Sequence, residues 1–463
     1  MNPELIKTAT KSRQSLVSPA RVAVFEVLYR VEQEGAYAHL AWQEARASLS
    51  LQDAGLAQEV IFGVLIWKRL IDVWIQSLSK HPLARMQLEV KLVLRMALFQ
   101  MRFLSRVPAY AIINDAVEQV KKLHKSAAPF VNGVLRSALR EEKYLTPILE
   151  ERECHGLCKD ELGIRLSFPD WLVEVLVQRF GEMAGAVMIA LNQKPTRAVR
   201  FNASKGSRMD VIERLQQEGT EASPSPVSPY GIRLAQGVQP TQLEAYKQGY
   251  ISLQGESSML VAPLFGDLRG KKFLDACAAP GGKGLHAAEL ATDQFDATLA
   301  ELHESRARLI QGQARRLGIT STNVIVGDAK EVTGDFDAVL LDAPCSGLGT
   351  IARKPDIKWR MKPEDMETLA VVQADLLNAM AKRLKPSGTL IYTTCTLSEK
   401  ENEEQVKVFL QRHPDFRLLP IKELDELPFA MGSFNRETGL VYIMPQDFHG
   451  DGFFIARMVR GDD

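Results

Sequence analysis

Two cysteines in the C-terminal half lie at positions where a thiol could act as a nucleophile. Cys345 follows the apolar run DAVLLDAP and Cys395 follows TLIYTT, so each thiol comes just after an inferred core strand. A lone free cysteine is usually a small buried hydrophobe, but two at neighbouring strand ends favour a reactive role. The thiolate is a strong nucleophile, and a nearby cation or base increases the thiolate fraction.

Carboxylates end the inferred strands beside these thiols. Asp342 closes DAVLL, Asp328 follows NVIVG and Glu301 closes ATLA. An aspartate in this place is as often a helix N-cap, so for Asp328 and Asp342 both interpretations stay open. Glu301 lies 19 residues after Gly282, near the spacing of about 20 at which an acid binds a ribose.

A glycine-rich turn precedes Glu301. The segment FLDACAAPGGK runs from a strand into a turn at a helix start, where Gly281 and Gly282 let a ligand approach the backbone. An isolated Glu301 would more often cap a helix, but the turn and the acid together predict a nucleoside cofactor. A nicotinamide or flavin enzyme should instead carry G-x-G-x-x-G after this strand, which the chain lacks.

Alternating strands and helices must position these residues. After Gln254, short apolar runs (FLDAC, ATLAEL, NVIVGD, DAVLLDAP, TLIYTTC) are separated by helical segments near Lys283, Ser305 to Leu317, Pro363 to Leu384, and from Ser398. This pattern predicts βαβ units and a parallel sheet, hence an α/β fold. Ligands bind beyond the carboxyl ends of such strands, where the thiols and acids lie.

The first half of the chain has a different pattern. From Arg21 to about Arg140, apolar residues recur at helical spacing, with breaks at Gly35, His81–Pro82, Pro108 and Ser126, so we predict a helical bundle. A charged helical connector over 141–165 and a small α+β module from Ser167 follow. The predicted domains are residues 1–145, 146–254 and 255–463.

Composition narrows the class of protein. Among 463 residues, 46% are hydrophobic and 25% charged, which is typical of globular proteins. Lys+Arg and Asp+Glu both number 57, but residues 1–150 hold 20 basic against 14 acidic residues, a modest indication of a polyanion partner. We expect a cytoplasmic, monomeric protein without a membrane span or a metal. Cys154 and Cys158 flank His155, but no second ligand cluster follows.

At these residues the sequence resembles the Sun/Fmu family of RNA 5-methylcytosine methyltransferases, in its bacterial RsmB group, over nearly the whole chain. The resemblance is carried by DACAAPGGK, DAPCSGLGT, KPDIKW, TLIYTTCTLSEKENE and DGFFIARM in the C-terminal half, by FPDWLVE, RFN and QxESS in the middle, and by GVLIWKRLID, LRMALFQMRFL, VPAYAIINDAVEQVK and FVNGVLR near the N-terminus. It implies three domains: an all-α NusB-like bundle that binds RNA, a small α+β RNA-contacting module, and a Rossmann-like methyltransferase domain.

The resemblance also implies a cofactor, a substrate and residue roles. S-adenosylmethionine would be the cofactor and small-subunit (16S) ribosomal RNA the substrate, methylated at C5 of a cytosine. Cys395 would be the nucleophile, Cys345 would assist release of the adduct, and Asp342 would lie on the cytosine ring and near the cofactor. The cofactor-binding residues would be Cys277, Ala278, Ala279, Pro280, Gly281, Gly282 and Lys283 in the turn, Glu301 and Arg306 at the ribose, and Asp328 near the adenine.

Four positions depart from the family pattern. Gly284 stands for a usual Thr, Gly255 for Asp, Glu301 for Asp and Lys354 for His. Neither cysteine is affected, although Gly284 has no side chain that could cap the first turn of its helix. An alternative of a different class is a helical RNA-binding or transcription-elongation module that carries an inactive methyltransferase half.

Overall fold

The computed structural model describes residues 17–141, 153–154, 156–421, 434–435 and 438–462. The chain divides into two compact units, Met1–Asn192 with Lys354–Arg360, and Gln193–Arg353 with Met361–Asp463. The three domains predicted from the sequence stay a prediction, because a division into two units does not test boundaries within either unit.

The first unit is helical in its described part. Its helices are α1 (Pro19–Glu34), α2 (Ala38–Ala45), α3 (Leu51–Ile66), α4 (Lys68–Leu78), α5 (Leu88–Phe103), α6 (Ala109–Leu123), α7 (Ala128–Arg140), α8 (Lys159–Arg165), α9 (Asp170–Phe180) and α10 (Ala184–Asn192). Ser18 caps α1, whose first residue is a proline, and Gly35 ends α1 at φ +68°. Fully buried apolar side chains of α1, α3 and α5 form one core with α6 and α7. The helical bundle is confirmed; the predicted connector lies partly outside the described residues.

A short segment from the C-terminal half folds with this unit. Residues Lys354–Arg360 contain one helical turn, α15 (Ile357–Arg360). The fully buried Lys358 donates from Nζ to the carbonyl oxygens of Ile66 and Ser167, at 3.2 Å each, and to Oδ1 of Asn192 at 2.5 Å. Trp359 donates to the Leu65 carbonyl. The KPDIKW motif thus serves as packing for the helical unit.

The second unit contains two sheets. Its elements are β1 (Ala198–Phe201), α11 (Arg208–Gln217), β2 (Ala222–Pro224), β3 (Gly231–Leu234), α12 (Glu244–Lys247), β4 (Ile251–Leu253), β5 (Lys272–Asp275), α13 (Gly282–Leu290), β6 (Asp296–Glu301), α14 (Glu304–Leu317), β7 (Thr322–Val326), β8 (Phe336–Asp342), α16 (Pro363–Ala381), β9 (Leu384–Thr394), α17 (Glu403–Arg412), β10 (Phe416–Leu418), β11 (Phe434–Asn435), β12 (Leu440–Ile443), α18 (Pro445–Phe448) and β13 (Phe453–Arg460). Strands β2-β3-β1-β4 form a small antiparallel sheet.

The larger sheet carries the candidate site. Its order among the described residues is β11-β12-β13-β9-β8-β5-β6-β7, with β10 also paired to β13. Strands β5 to β9 are parallel, as predicted, and their apolar residues are buried between helices on both faces. The sheet also has an antiparallel edge that the sequence pattern did not indicate, since β13 runs antiparallel to β9 and β12 runs antiparallel to β13. The predicted helix from Ser398 also begins later, at Glu403.

None of the helices in the described part of the chain is long and apolar enough to cross a membrane. The same residues contain no cluster of three or more His, Cys, Asp or Glu side chains that could hold a metal ion. His155 of the Cys154–Cys158 segment lies outside the described residues.

Candidate active site

The two predicted thiols meet at the carboxyl ends of two adjacent parallel strands. Strands β8 and β9 pair with Asp342 opposite Thr393, so the residues after them leave the sheet side by side. The sulfur atoms of Cys345 and Cys395 lie 3.4 Å apart. Their hydrogen bond and burial raise the pKa of the Cys345 thiol well above its ordinary value. Either sulfur can donate in this contact, and the raised pKa keeps Cys345 in its protonated form.

Lys283 and Asp342 form an ion pair beside these sulfurs. Nζ of Lys283 lies 2.6 Å from one Asp342 oxygen, and the Thr393 hydroxyl donates to the other at 2.8 Å. Burial opposes the Lys283 charge, but Asp342 and the nearby Cys395 outweigh it and raise the pKa of the ammonium. A cation held this way stabilises a thiolate at Cys395. Sequence reasoning assigned Lys283 to the cofactor turn alone and did not anticipate this contact.

A second carboxyl group lies under the same site. Asp275 ends β5 and is 1% exposed, and its Oδ1 has no hydrogen-bond partner among the residues that the structure describes. Burial and the neighbouring Asp342 raise the pKa of Asp275 to about 7. Burial and these acids together with Glu301 also raise the pKa of Cys277 well above its ordinary value, so that thiol remains protonated and unreactive.

A residue of the small sheet is hydrogen-bonded to the glycine-rich turn. Gly281 has φ +102°, a conformation that favours glycine, and α13 begins at the next residue. Arg200 of β1 donates to the Gly282 carbonyl at 2.6 Å and forms a fully buried ion pair with Glu289 of α13 at 2.7 Å. The same guanidinium donates to Gln254. The turn predicted from Cys277 to Lys283 is thus fixed by a residue that sequence reasoning noted only within the RFN motif.

The remaining predicted cofactor residues lie at the ends of β6 and β7. Glu301 is 4% exposed and accepts from its own neighbour His303 N at 3.1 Å, while Arg306 lies 3.4 Å away and also reaches the Ala279 carbonyl. Asp328 is half-buried and caps a short turn by accepting from Lys330 N. The structure thus brings Glu301 and Arg306 together with the turn, and it shows the N-cap role that was left open for Asp328.

Other polar residues around the thiols were missed by sequence reasoning. Glu401 is fully buried and accepts hydrogen bonds from Ser346, Gln373 and Thr396. Asn402, also buried, bonds Thr394 and Thr396. The only sequence signal for them was the run SEKENE after Cys395, where we predicted a helix from Ser398.

These residues fit S-adenosylmethionine. The cofactor carries a sulfonium cation, and the carboxylates of Asp275, Asp342 and Glu301 all lie near Cys277 at the turn. Glu301 is a buried carboxylate at a strand end, which is the acceptor that a ribose diol requires. The backbone of the glycine-rich turn, Glu301 and Arg306 would hold the group, which would supply the methyl group.

Comparison with known proteins assigns a family to each part of the chain. The family model described as 16S rRNA methyltransferase RsmB/F matches residues 265–459. The NusB family model matches residues 18–140, and the ferredoxin-like domain of RsmF/B-like methyltransferases matches residues 168–241. These matches and the observed folds confirm the predicted fold class: a NusB-like bundle, a small α+β module and a Rossmann-like methyltransferase domain.

Individual relatives match over almost the full length. The chain is 36% identical to the probable ribosomal RNA small subunit methyltransferase B of Bacillus subtilis, over 95% of this chain and 98% of that protein. A crystal structure of PH0851 has a TM-score of 0.78, with 24% identity, covering 96% of this chain and all of that one. A methyltransferase homologue from Pyrococcus horikoshii has a TM-score of 0.57, with 26% identity, covering 65% and 98%. The chain belongs to the ribosomal RNA small subunit methyltransferase B family, and its predicted cofactor, S-adenosylmethionine, is confirmed with it.

Proposed function

We propose that this chain methylates C5 of a cytosine in small-subunit ribosomal RNA, with Cys395 as the covalent nucleophile. The observation that carries the proposal is the pair of sulfurs 3.4 Å apart, with the Lys283 cation near Cys395. C5 of cytosine is a poor nucleophile, and addition of a thiolate to C6 raises the electron density at C5. Covalent addition replaces one difficult step by two easier ones.

Each of the residues at the two strand ends has a role in this series of reaction steps. The Cys395 sulfur forms a bond to C6, and the Lys283 ammonium stabilises the thiolate before attack. Asp342, which accepts from Lys283 and Thr393, would hydrogen-bond the polar edge of the ring. The target base leaves its stack to reach these groups, at a cost of a few kcal/mol that is smallest in single-stranded RNA.

Cys345 completes the reaction by assisting release of the methylated base from Cys395. Its thiol is hydrogen-bonded to the Cys395 sulfur in the free site, and that hydrogen bond is the main cause of its raised pKa. Once the Cys395 sulfur is bonded to C6 it is no longer an anion, so Cys345 loses its proton more readily. Cys345, or a water that it orders, then takes the C5 proton, and the bond between Cys395 and C6 breaks to restore the ring.

The test is transfer of labelled methyl to small-subunit RNA, with mapping of the modified base. Cys395→Ala should abolish transfer while the cofactor still binds, because it removes only the nucleophile. Cys345→Ala should instead accumulate a protein–RNA complex that resists denaturant. Full turnover by Cys395→Ala would contradict the mechanism. Absence of any transfer by the wild type, with RNA binding retained, would favour the RNA-binding module with an inactive methyltransferase half.

A further inference from the structure

A buried carboxylate is hydrogen-bonded to the residues that directly follow both cysteines. Glu401 is fully buried in the turn between β9 and α17. Its Oε1 accepts from the Ser346 backbone N–H at 2.8 Å and from Nε2 of Gln373 at 3.1 Å, and its Oε2 accepts from the Ser346 hydroxyl at 2.5 Å. Burying a carboxylate is costly unless its oxygens are satisfied, so this arrangement of donors is specific to this group.

A hydrogen bond between two hydroxyl groups links Glu401 to the loop that carries Cys395. The Ser346 and Thr396 oxygens lie 2.6 Å apart, and each hydroxyl has one proton. The Ser346 hydroxyl donates its hydrogen bond to Glu401, so the Thr396 hydroxyl must be the donor between the two hydroxyl groups. Thr396 itself accepts from the Ser398 N–H at 3.3 Å. The longer contact from Thr396 to Glu401, at 3.4 Å, is secondary.

Ser346 directly follows Cys345, and Thr396 directly follows Cys395. One carboxylate therefore connects the two loops that carry the two sulfurs. The turn has a second link in Asn402, which donates to the Thr396 carbonyl at 3.1 Å. Gln373 also donates to the Pro344 carbonyl at 2.9 Å, on the other side of Cys345.

We propose that Glu401 is a positioning residue that sets the distance between the Cys345 and Cys395 sulfurs through Ser346 and Thr396. Its catalytic consequence rests on the proposed function, but its geometric consequence does not. Loss of Glu401 should let the two loops separate, so that Cys345 no longer reaches the adduct that Cys395 forms. Misplacement by about 1 Å can slow an enzymatic step about 100-fold.

The geometric test uses phenylarsine oxide on the full-length protein. One arsenic atom binds two neighbouring thiols, forming two As–S bonds; the two thiol protons leave with the oxygen as water. Intact-mass analysis should show one bridged reagent in the wild type and none at this pair in Cys345→Ala. Glu401→Leu removes the acceptor at similar volume and should slow bridging about tenfold or more. Glu404→Leu, at an exposed position of α17, should bridge as the wild type does.

The catalytic test uses the same variants in methyl transfer. Glu401→Leu should lower kcat about 100-fold with KM for RNA and cofactor affinity unchanged. Glu401→Gln keeps one oxygen for the Ser346 N–H, and the hydroxyl chain can reverse to accept from the amide. It should therefore recover most of the lost rate. A general loss of folding would not give this split between kcat and KM, nor this recovery.

If Glu401→Leu does not fold, Thr396→Val decides the question, because it deletes only the hydroxyl link. It should slow both bridging and turnover in the same direction. Wild-type bridging in a folded Glu401→Leu or Thr396→Val protein would overturn the proposal. A wild-type enzyme that transfers no methyl group, but whose bridging depends on Glu401, would instead refute the proposed function and leave the positioning role standing.

Discussion

The ionisation of a few side chains at the ends of β5, β8 and β9 decides what this site can do. Asp342 and Lys283 form a charged pair, Cys345 is held as a thiol, and Cys277 is inert because burial and three acids raise its pKa. Of the three cysteines at these strand ends, Cys277 and Cys345 are thus kept protonated, which is why Cys395 is the proposed nucleophile. The distinction follows from the charges around each sulfur and not from the residue type.

Asp275 gives the site a pH dependence that stability measurements can detect. Its pKa is raised from an ordinary value of 3.8 to about 7 in the folded chain, by burial and by Asp342. The folded state therefore binds this proton more tightly than the unfolded state. The stabilisation is complete below about pH 4 and is lost as pH rises through about 7.

We expect Asp275→Asn to remove this slope, because the amide carries no charge at either pH. The free energy of unfolding of the variant minus that of the wild type should be larger at pH 8 than at pH 5. We expect this increase to be about 1 to 4 kcal/mol, at about 1.4 kcal/mol per pKa unit. Denaturant unfolding of both proteins at the two pH values checks the prediction. An equal difference at pH 5 and pH 8 would show that Asp275 is charged throughout.

At the scale of elements, α13 shows how a departure from the family pattern is accommodated. A Cβ at Gly284 would lie 2.6 Å from Leu299 Cδ2 and 2.9 Å from an Asp275 oxygen. A larger side chain at this position would have to displace both neighbours in this chain. The same crowding brings α13 close to β5 and β6, which places the glycine-rich turn over the strand ends.

Alanine at two helical glycines should therefore act in opposite directions. Gly284→Ala should destabilise the protein by about 1 to 3 kcal/mol through overpacking. Gly312→Ala, in α14, meets nothing within 4 Å, so it should stabilise by about 0.5 to 1 kcal/mol through helix propensity. Chemical denaturation of the two variants measures both values. Stabilisation by Gly284→Ala would mean that Leu299 moves aside without cost.

At the scale of the whole chain, the KPDIKW segment joins distant parts of the sequence. Residues Lys354–Arg360 follow Cys345 closely in the sequence, yet they fold with the helical unit. Burial lowers the pKa of Lys358 well below its ordinary value, yet three oxygens lie within hydrogen-bond distance of its Nζ, and three acceptors match the three N–H donors of the ammonium form. Nζ also lies 3.8 Å from the centre of the Phe168 ring. Deletion of residues 1–140 would remove Leu65 and Ile66 and expose this segment.

Lys358→Met should destabilise the helical unit by about 2 to 5 kcal/mol, since it leaves two buried carbonyl oxygens and the partly buried Asn192 oxygen without this donor. Lys354→Met, at an exposed position of the same segment, is the matched control and should change stability by about 0.5 kcal/mol or less. Thermal unfolding of the full-length variants distinguishes the two. Equal stability of both would mean that water replaces the ammonium at its three acceptors.

Local patterns in the sequence were sufficient for the helical bundle, for the parallel strands β5 to β9, and for the thiols, acids and glycines at their ends. Those features depend on periodicity, turn residues and family motifs, each contained within a few tens of residues. Only the tertiary structure decided that β13 joins β9 in antiparallel fashion, that Lys283 pairs with Asp342, that Glu401 connects both cysteine loops, and that Lys358 belongs to the helical unit. These contacts join residues far apart in the chain, or depend on burial, and burial determines whether a polar side chain is solvated or must find a partner.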